Sequence, residues 1–359
     1  MRIVVDGLTY PIIVSTSGAS EAAEIVSQRK GRALLVADKA VADRARLVAQ
    51  ALAAVGCEVC GEHVMAAGER HKRWASVAAL HERMLEAGAE RDCALVAVGG
   101  GTLTDVAGFA AATYLRGVRW VPVATTLLGM VDAAIGGKTG VNLPQGKNLI
   151  GAMWQPTAVI ADLGALGTVP NASLRDGIAE IVKAAIIGDP SLLERVERST
   201  IDMDDAAWAP LVASAASVKV RIVASDTNDR AQRAALNLGH TFAHAFERAS
   251  RYRLSHGAAV ALGLRAAGML ARGRTTWSQR EQRRVTDALR RFGIKVRLFG
   301  LSSDAIIAAM KMDKKRSGGT SRFVLPVRLG EVATGVEVSD DEVRSVLDEL
   351  SKAPLRRGW

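Results

Sequence analysis

The sequence predicts an α/β N-terminal domain on a parallel sheet, followed by a mainly α-helical C-terminal domain. Three observations carry this. The first half alternates short apolar runs with helical patterns, the signature of strand–helix–strand units. From about Asn171 to about Arg291 long Ala- and Leu-rich helical stretches take over. Hydrophobic residues make up 49% of the chain but aromatics only 4%, which suits helices and buried parallel strands better than a sandwich. A chain of 359 residues is long enough for two full cores. The expected division is residues 1–170 and 171–359, at "GTVPNASLRDG", with a Pro turn and a helix cap at Asn171 or Ser173.

In order along the chain, "MRIVVDGLTYPIIV" is strand-like and lacks a signal-peptide layout. "RALLVADKAV" reads as strand, turn and helix start. "ERDCALVAVGGGTLTDVAGFAAATY" reads as a buried strand, a glycine turn and a helix. "VRWVPVATTLLGMVDAAIG" is a strand entering a helix, and "TAVIADLGALGTVP" a further strand and turn. "RFVLPVRLGEVATGVEV" returns to strand-like alternation near the end. No apolar run reads as long enough to span a bilayer.

The net charge is +10, from 47 basic against 37 acidic residues, which suits nucleic acid, an anionic membrane or an anionic small substrate. The densest basic stretch, Arg272–Arg297, holds nine Lys or Arg and two acids, and "REQRRVTDALRRFGIKVR" within it reads as an amphipathic helix. Its two aromatics, Trp277 and Phe292, do not alternate with the basic residues as a run of stacking platforms, so a solvated face is expected and neither nucleic acid nor membrane as a partner. The low, odd count of three cysteines fits a reducing cytoplasm. "CEVC" places Cys57 and Cys60 on a strand with their side chains on opposite faces.

Two glycine clusters carry chemistry. Gly99, Gly100 and Gly101 follow a buried strand and open a helix, an arrangement that lets backbone N–H groups approach a pyrophosphate. It is neither the GxGxxG fingerprint nor a P-loop. Asp105 lies in the first helical turn and could simply cap it. Further on, Asp132, Lys138, Lys147 and Asn148 surround Gly136, Gly137 and Gly146, and glycine-flanked lysines on loops suit an anion.

Three of the six histidines lie in "LNLGHTFAHAFERASRYRLSHG". His240 and His244, at i and i+4, share a helix face, which suits two imidazoles on one cation, or one ligand beside a proton carrier. His256 follows nearby. A further ligand is Glu180, a carboxylate in the apolar segment "GIAEIVKAAI", although Lys183 at i+3 would also balance it. Three protein ligands would leave an open, catalytic position.

"GGGTLTDVAGFAAATYLRG", "TTLLGMVDAAIGGKTGVNLPQGKNLIGAMWQP", "GIAEIVKAAI", "RAALNLGHTFAHAFE" and "HGAAV" together resemble the 3-dehydroquinate synthase family of the sugar-phosphate cyclases. The resemblance is near-continuous from about Leu95 to Leu262 and collinear elsewhere, in "LLVADKAV", "GERHK" and "MDKKRSGG". It implies an N-terminal NAD-binding domain, a helical metal-binding domain, an active site between them and a homodimer. The implied reaction, a carbon–oxygen lyase step of aromatic amino-acid biosynthesis by the shikimate pathway, acts on 3-deoxy-arabino-heptulosonate 7-phosphate. NAD⁺ transiently oxidises the C5 hydroxyl, phosphate is eliminated, the hydride returns, and an aldol step closes the carbocycle.

By matching motif positions, the resemblance implies Glu180, His240 and His256 as metal ligands, with zinc the usual metal and cobalt the alternative. His244 becomes a proton carrier. NAD contacts fall on Asp38, Glu69, Lys72, Gly99, Gly100, Gly101, Asp105, Thr125, Thr126, Lys138 and Lys147. Substrate-binding or catalytic positions are Asp132, Lys138, Lys147, Asn148, Lys183, Lys219, Arg233, Asn237 and Lys314, and Arg116 matches an arginine that reaches a neighbouring subunit's substrate phosphate. So many cations suit a small substrate bearing both carboxylate and phosphate. The chain departs from the family at Thr227, where Glu is frequent, at Ala40, where Asn is frequent, and in "HGAAV", where "HGEAV" is commoner. The rival readings are another cyclase, such as aminodehydroquinate synthase, and a metal-dependent polyol dehydrogenase.

Overall fold

The structure, a computed structural model, describes residues 1–29, 32–226, 232–298, 300–316 and 322–352, with the side chains of all but 232 and 313–316. It divides into two compact units, Met1–Gly177 with Met203–Asn228, and Ile178–Asp202 with Asp229–Trp359.

The first unit opens with the hairpin β1 (Arg2–Val5) and β2 (Ile12–Ser15), then α1 (Gly18–Ser27), β3 (Arg32–Asp38), α2 (Ala42–Ala54) and β4 (Glu58–Met65). It continues with α3 (Trp74–Glu86), β5 (Ala94–Gly99), α4 (Gly101–Thr113) and β6 (Arg119–Ala124). A second hairpin, β7 (Lys138–Leu143) and β8 (Gly146–Met153), precedes β9 (Val159–Asp162). Seven strands form one sheet in the order β1-β2-β9-β6-β5-β3-β4. Only the β1–β2 pair is antiparallel; the other pairs are parallel.

Both faces of this sheet are covered, and the period-2 alternation shows it directly. Leu34, Val36, Leu95 and Ala97 join a core beneath α3 and α4. Their neighbours Ala33, Leu35, Val96 and Val98 join the core beneath α1 and α2. Cys57 belongs to the second of these cores, while Cys60 packs against the first. The two thus lie on opposite faces as the sequence suggests, with Cys60 Sγ 3.9 Å from Cys93 Sγ instead.

Helix α5 (Asn171–Gly188) begins at the expected boundary, and the division between the two units falls inside it at Gly177/Ile178. Next, α6 (Pro190–Arg198) belongs to the second unit, and α7 (Asp205–Ser225) returns to the first. Sequence pattern alone assigns α7 to the helical half because it is a helix. The structure packs it on β1, β2 and the Gly129–Ala133 turn, burying Trp208, Leu211, Val212 and Val218. Among the described residues α7 is also long and apolar enough to cross a bilayer, contrary to the sequence expectation, yet over half of its apolar stretch is buried inside the protein.

The rest of the second unit is α8 (His240–Ala249), α9 (His256–Ala271), α10 (Gln279–Arg291), α11 (Ser303–Arg316), the hairpin β10 (Arg322–Arg328) and β11 (Glu331–Glu337), and α12 (Asp340–Lys352). Phe242 and Phe246 are fully buried, and Phe242 meets Phe323 at a ring distance of 5.4 Å. Gly239, at φ 76°, starts α8, and a Cβ there would lie 2.8 Å from the Leu264 nitrogen, so only glycine lets α8 approach α9 this closely. Helix α10 is amphipathic as expected. A Ser278/Glu281 capping box opens it, Val285 and Leu289 are buried, and the basic face is partly paired through Arg284–Glu197 and Arg290–Asp287.

Candidate active site

In the first unit, β3 leads outward to β4 at the sheet edge, whereas β5 lies on the other side of β3. This is a topological switch point, where open α/β sheets bind ligands at the strands' carboxyl ends. Asp38 ends β3 and Gly99 ends β5, side by side, since a Cβ on Gly99 would fall 3.1 Å from that of Asp38. Asp38 accepts from the Ala40 N–H and so fixes the turn into α2. Gly100 is the first flanking residue of α4 and has no side-chain cap. Added side chains at Gly100 and Gly101 would meet Thr126 Cγ2 at 3.0 Å and Ala133 Cβ at 2.8 Å. The glycines therefore serve internal packing as well as leaving the α4 N-terminus bare. Thr125 is buried and donates its N–H to Gly99, and the Thr126 hydroxyl accepts from Gly129.

Asp105 is not a cap. It is ion-paired with buried Lys72, whose Nζ also donates to Asn148 Oδ1 at 2.5 Å. Glu69 accepts from Thr102 and, at 2.7 Å, from Asn142 Nδ2, while Asn142 Oδ1 accepts from the Asn148 N–H. Glu69, Lys72, Asp105 and Asn148, all drawn from sequence, thus form one network. Asn142 is the hub that sequence reasoning missed. Burial pushes the Asp105 carboxyl up to about 6, with Lys72 pulling against it.

An acid held above its ordinary value binds its proton more tightly folded than unfolded. Its contribution to stability is full at low pH and is lost as pH rises through about 6. Lys72→Met removes the opposing cation. It should cost about 3 kcal/mol at neutral pH, as loss of one partner of a largely buried pair does. The cost should be smaller at about pH 5 than at about pH 8, because a protonated Asp105 needs no partner. Urea unfolding of both proteins at the two pH values checks this; a cost that grows on acidification refutes it.

Asp132 lies in a π-helical turn, Gly129–Ala133. Lys219 of α7 grips it through Asp132 Oδ1 at 2.6 Å and its carbonyl at 2.5 Å. Lys138 and Lys147 are not on loops as expected. They stand on β7 and β8, and Lys138, exposed, pairs across the ribbon with Met153. Asn148 has φ 55°, a left-handed conformation tolerated by asparagine. Arg116 is exposed on a separate turn, where Leu115 and Arg116 both have positive φ.

The second unit gathers one candidate set of metal ligands. Ligand atoms of Glu180, His240 and His256 all lie within 4.8 Å of one another, the only such cluster among the described residues. Glu180 Oε1 is 3.6 Å from His240 Nε2 and 3.3 Å from His256 Nε2. A buried carboxylate and two imidazole nitrogens suit zinc or a similar divalent ion. His240 donates its Nδ1–H to the Leu238 carbonyl at 3.3 Å. His244 is exposed, its ring 5.6 Å from that of His240, and lies outside the cluster.

Lys183 is buried and paired with Glu180 as well, so the two readings of that carboxylate coexist. Burial, with Lys183 beside it, lowers His240 to about 3. Burial would also lower His256, but hydrogen bonds to Glu180 and Glu247 prevail and lift it to about 10. Asn237 is exposed just ahead of α8, and Arg233 is buried in the 3-10 turn Gln232–Asn237. The Lys314 side chain and Thr227 lie outside the described residues.

Residues 62–176 match the 3-dehydroquinate synthase N-terminal family, and residues 177–316 match the 3-dehydroquinate synthase C-terminal family. A 3-dehydroquinate synthase of Gloeobacter violaceus is 42% identical over 350 residues, covering 95% of this chain and 96% of its own. The chain belongs to the 3-dehydroquinate synthase family. Another relative of that description, from Synechococcus sp., is 41% identical over 95% of this chain and 96% of its own. Among solved structures, a 2-epi-5-epi-valiolone synthase from Streptomyces hygroscopicus, with NAD⁺ and Zn²⁺ bound, superposes with a TM-score of 0.87 at 28% identity. That match covers 98% of this chain and 99% of the other. The border between the two 3-dehydroquinate synthase matches, at 176/177, falls within one residue of the break between the structural units.

Proposed function

We propose that this chain converts 3-deoxy-arabino-heptulosonate 7-phosphate to 3-dehydroquinate and phosphate, as a phosphate-eliminating carbon–oxygen lyase. The observation that carries this is the Glu180–His240–His256 cluster in a chain that matches 3-dehydroquinate synthases along nearly its whole length. Bound NAD supplies a hydride acceptor that gives back what it takes, and a bound divalent metal polarises the oxygen at the carbon being oxidised.

The protein's own residues do the rest. The bare N-terminus of α4 and Gly99–Gly101, beside Asp38, Thr125 and Thr126, suit the cofactor's pyrophosphate and ribose. The Glu69–Lys72–Asp105 network supports that cradle, with Lys138 and Lys147 on the hairpin next to it. Glu180, His240 and His256 hold the metal, zinc by their donor set, and Lys183 limits the charge on Glu180. Lys219, fixed by Asp132, joins Asn148, Arg233, Asn237 and Lys314 in binding the substrate's anionic groups, and Arg116 serves the substrate phosphate of a neighbouring subunit. His244, exposed and outside the ligand cluster, is left to carry a proton. Three free cysteines support a cytoplasmic enzyme, and the family resemblance supports a homodimer.

Because the hydride leaves and returns, catalytic NAD should suffice. Purified enzyme with trace NAD⁺ should release phosphate over many turnovers with no growth in NADH absorbance. Stoichiometric NADH would revive the polyol dehydrogenase. Parallel assays with sugar phosphates lacking a carboxylate separate this reading from the cyclases whose substrates carry none, and an assay with the amino analogue of the substrate separates it from aminodehydroquinate synthase.

A further inference from the structure

Glu247 has no part in the reaction as read so far, yet it is a buried carboxylate at the metal cluster. The residue is 3% exposed, and its Oε1 lies 3.3 Å from His256 Nδ1. The other ring nitrogen of His256, Nε2, faces Glu180 Oε1 at 3.3 Å. The imidazole is thus held from both ends by carboxylates on different helices. Accepting from Nδ1–H fixes the tautomer in which Nε2 carries the lone pair.

The chain between the two residues is shaped to bring them together. The Glu247 carbonyl accepts from the Tyr252 N–H at 2.7 Å and from the Ser250 hydroxyl at 2.9 Å. Arg251 and Tyr252 both take left-handed conformations, at φ 54° and 58°. This compact turn returns the start of α9 over the end of α8. His240 is handled differently, since its Nδ1 faces the neutral Leu238 carbonyl. The two histidines are therefore unequal, and only one is backed by a negative side chain.

We propose that Glu247 is the positioning residue of the metal centre, fixing the tautomer of His256 and raising its basicity as a ligand. The proposal rests on reading Glu180, His240 and His256 as metal ligands. It is tested on the full chain, stripped and titrated with zinc against a chromophoric chelator. Glu247→Gln keeps size and an acceptor oxygen but loses the charge. Its zinc affinity should fall about 10- to 100-fold, the usual effect of losing such a partner. The melting temperature of its metal-free form should stay within a few degrees of the native protein. Glu247→Asp, which keeps the charge but draws it back, should lie between. In ¹⁵N-labelled zinc protein, the His256 Nδ1–H should give a slowly exchanging signal that Glu247→Gln moves or abolishes.

Unchanged zinc affinity in Glu247→Gln overturns the proposal, and so does an unmoved Nδ1–H signal. A native protein that takes up no zinc would instead defeat the ligand assignment itself.

Discussion

His256→Ala should purify without its metal and with activity reduced by on the order of 10³-fold or more, the loss of several kcal/mol of charge stabilisation. His244→Ala should keep one metal per chain while losing about 10²- to 10⁴-fold in rate, the range of a general acid–base group. The basis is geometric: His256 Nε2 faces Glu180, whereas His244 lies outside the cluster and is exposed. Metal analysis of the two variants beside turnover decides between them. A metal-free His244→Ala with a metal-replete His256→Ala would reverse the assignment. Spacing alone leaves this open, because His240 and His244 make the more familiar pair.

Arg233→Ala should lower kcat/KM for the carboxylate-bearing substrate by about 2–5 kcal/mol, or on the order of 30- to 5000-fold. A guanidinium can hold a carboxylate with two parallel hydrogen bonds that lysine cannot reproduce, so Arg233→Lys should recover only part of the loss. Arg233 is 2% exposed, which makes a purely structural role the competing account. A two-by-two comparison separates them. A carboxylate-free analogue should be a poor substrate for the native enzyme and lose little more with Arg233→Ala. Equal losses on both substrates would make Arg233 a structural residue and remove the main support for a carboxylate substrate.

Most of the strand–helix alternation was legible because buried parallel strands such as Ala94–Gly99 are short, apolar and punctuated by glycine. The β7–β8 hairpin was not. Its lysines and glycines read as loop, since it forms a separate two-stranded ribbon, buried at Thr139–Val141 of β7 but mostly exposed along β8, without the apolar alternation of a core strand. Helix α7 was legible as a helix but not as a partner of the sheet, because its own periodicity does not say which surface it covers. In the site, the cluster of histidines with Glu180 showed through residue type in an apolar setting. Asn142 and Glu247 did not, since their roles come from side chains distant in the fold or from a turn that doubles back. Glu247 left a faint trace, standing seven residues after His240 on the same helical stripe.

The excursion of α7 has a consequence for the order in which the molecule can be made. A ribosome delivers the seven strands of the large sheet well before Asp205, yet the helix that covers β1 and β2 arrives only after α6 of the second unit has emerged. The nascent first unit must therefore wait, with one end of its sheet uncovered, while part of its neighbour is already outside the tunnel. At translation rates of about 5–20 residues per second that wait lasts several seconds. For the same reason no single cut in the gene yields both units whole: ending the message at Gly177 strips the sheet of α7, and starting one at Ile178 carries that helix away from the strands it was made to cover.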